Sequence, residues 1–412
     1  MYLSENLETP VWGEYEVAVC GGGIAGISAA LAAARQGKKT VLLEQQYLLG
    51  GLATAGLVTI YLPLCDGMGR QISFGIAEEL LRLSIRDGAE ARYPENWLEN
   101  KGTRTECDPR FQVQFNPHLF AIHAEALLLR EGVDLLYGTR VTDVRVEDSY
   151  IRCLFVENKS GRGAFLVRSV VDATGDCDVA LRAGAPTETF LAGNKLSSWY
   201  YSLGKDGYRL NLQDWVDPPA GEAEKGPSPK DRRFDGLEAK SLTEQTVLSH
   251  RSVYHDFLRK RKEDPSYVPT CLPSIPQVRM TRKLRGKCEL SEADSHRHCE
   301  SSVGMVSNWR SRGPVYEVPF EALFCPEIRN LLCAGRCIST DQSLWNILRV
   351  IPCCAVTGEA AGTAAAMTDD LPRLSVSELQ KRLRQRGVVL HEKDLPPPRA
   401  GEGPCPAEAL EK

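Results

Sequence analysis

The sequence predicts an α/β fold: a Rossmann-like parallel βαβ sheet carrying a β-meander, with an α+β region inserted into it. Three observations carry this. Residues 15–44 read as strand, glycine turn, helix and strand; residues 133–172 break into short strands; residues 186–325 mix long polar stretches with short strands and helices.

The first unit sets the chemistry. Tyr15-Glu16-Val17-Ala18-Val19-Cys20 runs into Gly21-Gly22-Gly23-Ile24-Ala25-Gly26, then an Ala-rich helical stretch, then Lys39-Thr40-Val41-Leu42-Leu43-Glu44. This order holds a dinucleotide. Gly21 allows the tight turn, Gly23 lets the backbone approach a pyrophosphate, and Gly26 lets the helix pack on the first strand. The diphosphate would sit at the helix amino terminus, against Ile24 and Ala25, where unpaired N–H groups and the helix dipole favour an anion. Glu44, 18 residues beyond Gly26, is placed to accept hydrogen bonds from ribose hydroxyls.

Later elements follow in order. Leu57 to Gly69 is punctuated by glycine, and Phe74 to Arg86 carries Ile76, Ala77, Leu80, Leu81 and Leu83 at helical spacing. Asn116-Pro117 opens a helix through Arg130, and Gly132 ends it. Val133–Tyr137, Arg140–Glu147, Ile151–Asn158 and Ala164–Asp172 read as one strand and a three-stranded meander, with a turn at Ser160-Gly161. A last helix starts with the capping pattern Ser375-x-x-Glu378 and stops before Gly387. Its Val376, Leu379 and Leu383 share one side, which makes Lys381, Arg382, Arg384 and Arg386 a solvated face rather than a nucleic-acid patch. Asp217–Pro229 has the composition of a surface loop, and 392–412 that of a disordered tail.

Composition excludes several classes. A chain of 412 residues with 42% hydrophobic and 25% charged residues can bury the cores of two domains without metal or disulfides. A net charge of −4 gives no general attraction to nucleic acid or anionic lipid. The amino terminus lacks signal-peptide features and no apolar run reaches membrane-spanning length, so the expected partner is a small-molecule substrate, with no nucleic acid and no membrane, in a cytoplasmic location. The 14 cysteines are scattered, with no iron–sulfur spacing, and read as reduced thiols. His296-x-His298-Cys299 holds ligand-type residues whose local spacing supplies too few convergent ligands, so no metal is expected.

Three further segments decide which dinucleotide binds: Gly50-Gly51-Leu52-Ala53-Thr54-Ala55-Gly56; Val170-Val171-Asp172-Ala173-Thr174-Gly175-Asp176; and Asn330-Leu331-Leu332-Cys333-Ala334-Gly335-Arg336-Cys337-Ile338-Ser339-Thr340-Asp341 with Arg349-Val350-Ile351-Pro352 and Gly358–Ala366 after it. Together with the first motif they resemble the FAD-dependent oxidoreductase family of the glutathione-reductase-type Rossmann flavoprotein superfamily, from about Tyr15 to Gly387. The resemblance implies FAD as cofactor, held by Gly21, Gly23, Ile24, Ala25, Gly26, Glu44, Gly50, Gly51, Thr54, Ala173, Thr174, Gly175 and Gly335, with the Val141 backbone on the adenine. By the same resemblance Val350, Ile351 and Cys353 stand at the flavin pyrimidine edge, where backbone donors stabilise negative charge and Pro352 cannot donate. One departure is Gly335-Arg336, where many members have Gly-Asp. Either Asp341 substitutes or Arg336 neutralises phosphate directly.

The resemblance also implies a discontinuous FAD-binding domain (1–60, 110–185 and 326–391) and a substrate or cap region (61–109 and 186–325). Arg279-x-x-Arg282 resembles the family's paired arginines, which could fork onto an anionic substrate group or form salt bridges. Trp309-Arg310 and Tyr316 follow in the next family-like segment. Trp345 and Asp341 could line the flavin face or a substrate channel, and Arg279, Arg282, Asp341 and Trp345 are the candidate catalytic residues. Cys333-x3-Cys337 could form a redox disulfide, although reduced thiols suit the spacing better. The implied activity is transfer of a hydride from a small organic substrate to flavin N5, with reoxidation by an unidentified acceptor. The alternatives are a flavin-binding subunit or structural-FAD protein of an electron-transfer complex and, with less of the sequence explained, an NAD-dependent dehydrogenase.

Overall fold

A computed structural model describes residue 3 and residues 6–89, 112–213 and 232–397. The Asp217–Pro229 loop and most of the 392–412 tail lie outside the described residues. In chain order the elements are β1 (Val11–Cys20), α1 (Ile24–Ala34), β2 (Thr40–Leu43), β3 (Ile60–Tyr61), α2 (Ile76–Ser84), β4 (Val113–Gln114), α3 (Pro117–Arg130), β5 (Asp134–Leu136), β6 (Arg140–Glu147), β7 (Tyr150–Asn158) and β8 (Gly161–Asp172). There follow α4 (Asp178–Arg182), β9 (Thr187–Thr189), β10 (Tyr200–Gly204), β11 (Gly207–Asn211), α5 (Ala239–Glu263), β12 (Val268–Cys271), β13 (Arg282–Leu284), β14 (Ser302–Ser307), β15 (Val315–Pro319), β16 (Leu331–Cys333), α6 (Gln342–Leu348), α7 (Ile351–Met367) and α8 (Val376–Gln385).

The main sheet runs β5-β2-β1-β8-β7-β6, with β16 also on β8. The pairs β1–β2, β1–β8, β2–β5 and β8–β16 are parallel, while β6–β7 and β7–β8 are antiparallel. β8 serves both layers: its first half, through Leu166, pairs with the meander, and Val170–Asp172 pair with β16.

Both faces of the central strands are buried, which is why Val17–Cys20 and Thr40–Leu43 are near-continuous apolar runs rather than alternating ones. Side chains alternate between two cores. Val17, Val19, Leu42, Val171 and Leu332 face the core formed with α1, α2, α3 and α7. Ala18, Cys20, Val41, Leu43, Val170 and Leu331 face the one formed with α4 and the meander.

Two differences from the sequence reading concern β1 and α5. β1 begins at Val11 rather than Tyr15, because Trp12 and Tyr15 pack edge-on against Phe165 with centroids 6.1 and 5.6 Å apart, and Gly163 leaves room for the Trp12 ring. α5 is long yet buries mostly polar residues, Gln245, Ser249 and Asp256 beside Val253, so its apolar periodicity is faint. Polar contacts hold it instead: Asp256 accepts from the Tyr200 hydroxyl at 2.6 Å and pairs with Lys260 at 2.9 Å.

The Asn116 cap is as expected, while the Ser375-x-x-Glu378 pattern makes only the first of the two capping-box bonds. Asn116 accepts from the His118 and Leu119 N–H groups at α3, and Ser375 accepts from Glu378 N at α8, whose Leu379 and Leu383 are buried. Among the described residues no single helix is long and apolar enough to cross a membrane.

Candidate active site

The parallel strands β1, β2, β8 and β16 present their carboxyl ends to one cavity of about 400 Å³, where open α/β sheets place ligands. Each strand delivers one motif: Gly21 and Gly23 after β1, Glu44 after β2, Ala173, Thr174 and Gly175 after β8, Gly335 and Arg336 after β16. Gly21 has φ +102° and a Cβ there would meet the Ala173 backbone, so only glycine closes this turn. Gly23 has nothing within 4 Å of its missing Cβ, which leaves the space a pyrophosphate needs. Gly26 lies beneath the cavity; a Cβ there would stand 2.9 Å from the Gly21 carbonyl carbon and nearer still to its oxygen.

Glu44 is buried but tied down. Its Oε2 accepts from Gly22 N at 2.6 Å and its Oε1 from Gln46 N at 2.7 Å, which fixes the carboxylate on the glycine turn while it lines the cavity. Burial pushes its pKa up, opposed by those backbone donors. Gly50 and Gly51 lie on the first glycine loop: Gly50 N donates to Gly22 O at 2.8 Å, and a Cβ on Gly51 would come within 3.2 Å of Gly23 Cα. Thr54 does not reach the cavity; its hydroxyl donates to Leu49 O and holds this loop from behind.

Two helices start at the cavity. α1 brings Ile24 and Ala25, and α7 brings Val350, Ile351 and Cys354. Val350 is the extended residue before α7 and Pro352 lies in its first turn, so the Ile351 and Cys353 N–H groups are the donors left at that end. The two helices cross in backbone contact. A Cβ on Gly358 would stand 2.9 Å from Ala25 Cα, and one on Gly362 would stand 2.7 Å from Ala29 Cα. Both helix dipoles therefore point their positive ends into one volume.

The two residues named at the Gly335-Arg336 departure stand in different places. Arg336 lines the cavity, lies against Gly175, and donates to the Arg279 carbonyl at 2.8 Å and to Asp176 at 3.1 Å. Asp341 is elsewhere. Its carboxylate accepts from Leu344 N at 2.7 Å and the Ser343 hydroxyl at 2.8 Å, capping α6, and it does not line the cavity. Trp345 is a fully buried core residue packed edge-on against Phe190; its indole N–H donates to Arg336 O at 2.8 Å, so it positions the motif rather than lining a channel. The arginine pair splits. Arg279 lines the cavity with its guanidinium 4.9 Å over the Trp199 ring, whereas Arg282 donates to Asp176 O at 3.2 Å and approaches Asp178 at 3.6 Å outside it.

Val141 lines the cavity, and Arg140 and Arg349, which sequence reasoning passed over as site candidates, line it too. So does Asp178, whose carboxyl is pushed up to about 6 by burial and then by the charges of Asp176 and Asp172. Asp172 itself is buried and accepts from Thr174, Val179 and Ala180, shaping the Ala173-Thr174-Gly175 turn. Cys333 and Cys337 are buried free thiols, and Cys337 Sγ accepts from Cys177 N at 3.2 Å.

A Gly23 surface open to a diphosphate, a fixed carboxylate at the end of β2 and two converging helix amino termini fit FAD's acidic centre and its ribose. The model of the FAD dependent oxidoreductase family matches residues 16–200 and 242–383. No curated protein matches significantly. Similar solved structures include a geranylgeranyl bacteriochlorophyll reductase-like protein of Thermoplasma acidophilum, 13% identical over 91% of this chain and 82% of that one with a TM-score of 0.45. Another is the p-nitrophenol 4-monooxygenase of Pseudomonas putida, 12% identical over 90% and 84% with a TM-score of 0.45. The sequence match names the family rather than the broader glutathione-reductase-type grouping. The chain belongs to the FAD dependent oxidoreductase family, and FAD is its cofactor.

Proposed function

We propose that this enzyme oxidises a small organic substrate carrying an anionic group, with Arg279 as the residue that receives that group. FAD, when bound, supplies the redox chemistry by accepting two electrons as a hydride at N5 and passing them to an acceptor. The protein supplies the rest. Gly21, Gly23, Glu44 and Arg336 hold the dinucleotide, and Val350 with the Ile351 and Cys353 N–H groups place positive potential at the end of α7.

The observation that carries the substrate reading is the split of the arginine pair. Arg279 is 3% exposed, lines the cavity and is braced by Trp199, while Asn194 Oδ1 accepts from its backbone N–H at 3.0 Å. A guanidinium whose position is already fixed at the cavity wall loses little further entropy when it meets a carboxylate. Ser274, Ile275 and Pro276 of the same segment wall the cavity, in keeping with a substrate or cap role for the 186–325 region.

The test is an anaerobic screen of the holoenzyme against a metabolite library, following flavin absorbance. Anionic donors should bleach the flavin, and Arg279→Gln should raise KM for the best of them by about tenfold or more, the worth of a charge-assisted hydrogen bond, while leaving FAD content unchanged. Bleaching only by neutral donors, with Arg279→Gln kinetically silent, would remove the proposed role.

A further inference from the structure

His298, Glu317 and His391 meet just beneath the surface, with His298 exposed and the other two buried, and none of them lines the flavin cavity. His298 lies in the segment before β14, Glu317 on β15, and His391 in the segment after α8. His391 Nδ1 is 2.9 Å and His298 Nδ1 3.4 Å from the same atom, Glu317 Oε2, and the imidazole centroids are 4.7 Å apart. One ligand atom from each residue lies within 4.8 Å of the other two. Zinc bonds of about 2.0–2.1 Å at the tetrahedral angle hold ligand atoms about 3.3 Å apart, and the two separations at Glu317 Oε2, 2.9 and 3.4 Å, lie on either side of that edge.

We propose that His298, Glu317 and His391 bind one zinc ion, which clasps the carboxyl-terminal segment onto the β14–β15 hairpin. The ligand set is two neutral imidazole nitrogens and one carboxylate oxygen, with water in the fourth position. The surroundings support it. Glu317 is oriented by Glu392 N on Oε1 and Cys299 N on Oε2, both at 2.8 Å, the kind of outer-shell fixing that metal ligands need. Glu317 and His391 are buried, whereas the His298 side chain is 39% exposed and leaves an entry path. The neighbouring Glu392 carboxylate is engaged by Arg70 at 2.7 Å and His296 Nδ1 at 2.9 Å, which leaves Glu317 as the carboxylate between the two imidazoles. Zinc would add to the existing bond from the Ser302 hydroxyl to Leu390 O at 2.6 Å.

The full-length holoenzyme, tag removed and stripped with a chelator, is titrated with zinc chloride against a chromophoric competitor, with metal content and Tm measured alongside. One zinc per chain is expected, with a rise in Tm that magnesium does not reproduce. His298→Ala, at an exposed side chain, should keep the metal-free Tm and FAD content but lose zinc affinity by more than the roughly 100-fold that outer-shell changes cost. His391→Gln should behave likewise. The proposal falls if stripped protein takes up no zinc, if His298→Ala binds it as tightly as the parent, or if Cys271→Ser and Cys288→Ser, at two accessible thiols, abolish the uptake.

Discussion

Adding a methyl group at Gly362 should part the two helices that carry the cofactor's seat. The new Cβ would stand 2.7 Å from both Cα and the carbonyl carbon of Ala29, and closer still to its oxygen. Non-bonded heavy atoms settle at about 3.5 Å or more, so α1 and α7 must separate by about 1 Å. No rotamer can absorb this, because every atom met is backbone. Overpacking of this kind costs about 1–3 kcal/mol and belongs here at the upper end. Alanine's better helix propensity returns about 1 kcal/mol. The net expectation is a loss of about 2 kcal/mol, read as a lower midpoint in urea unfolding of FAD-free protein followed by far-UV circular dichroism. Because both helices open onto the cavity, FAD affinity measured by fluorescence quenching should fall with it. Gly358→Ala, which meets Ala25 in the same way, should reproduce both effects. A Gly362→Ala protein as stable as its parent would show that the helices are not in backbone contact, and the argument would fail.

Glu359 is 2% exposed on α7, and burial pushes its carboxyl up to about 7 against the bond it accepts from Ile76 N at 2.8 Å. A carboxyl raised from 4.5 favours the folded state fully below pH 4.5 and loses that contribution as pH rises through 7, a change of about 3 kcal/mol. Glu359→Gln should therefore be more stable than the parent above pH 7 and converge with it near pH 4.5; parallel stability curves across that window would contradict this. Glu44→Ala removes the acceptor for Gly22 and Gln46 and a ribose partner, and should weaken FAD binding by about 1.5–3 kcal/mol in an equilibrium titration. Unchanged affinity would place the ribose elsewhere. Asn116→Ala strips the cap from α3 and should cost about 1 kcal/mol in chemical unfolding while sparing the flavin site; a silent substitution would mean water replaces the cap in full.

Much of the fold was legible because it is written in local rules. The glycine turn, the Asn116-Pro117 start, the meander strands and the Ser375 cap each depend on neighbours in sequence, and each stands where those rules put it. What escaped depends on partners distant in the chain. The start of β1 is set by Trp12 finding Phe165 beside a glycine, and α5 is held by Asp256 finding Tyr200. Neither leaves a periodic apolar trace.

The site divides along the same line. Backbone-borne functions, the turn at Gly21 and the helix starts at Ile24 and Ile351, follow from motif order because a strand must end before a glycine can turn and a helix can begin. Side-chain functions do not. Arg279 and Arg282 are three residues apart, but Arg282 opens β13 while Arg279 lies in the irregular segment before it, so no helical or strand period ties their directions together. Arg279 lines the cavity itself, while Arg282 stands behind its wall on Asp176 O and Asp178. Asp341 shows the converse: an acid after a glycine motif is equally the residue that caps a helix, and with α6 starting one residue later, the bare N–H of Leu344 claims its carboxylate first. Motif order thus assigns the parts of a site made by backbone, while the direction in which each side chain leaves that backbone settles which charged residues the substrate can touch.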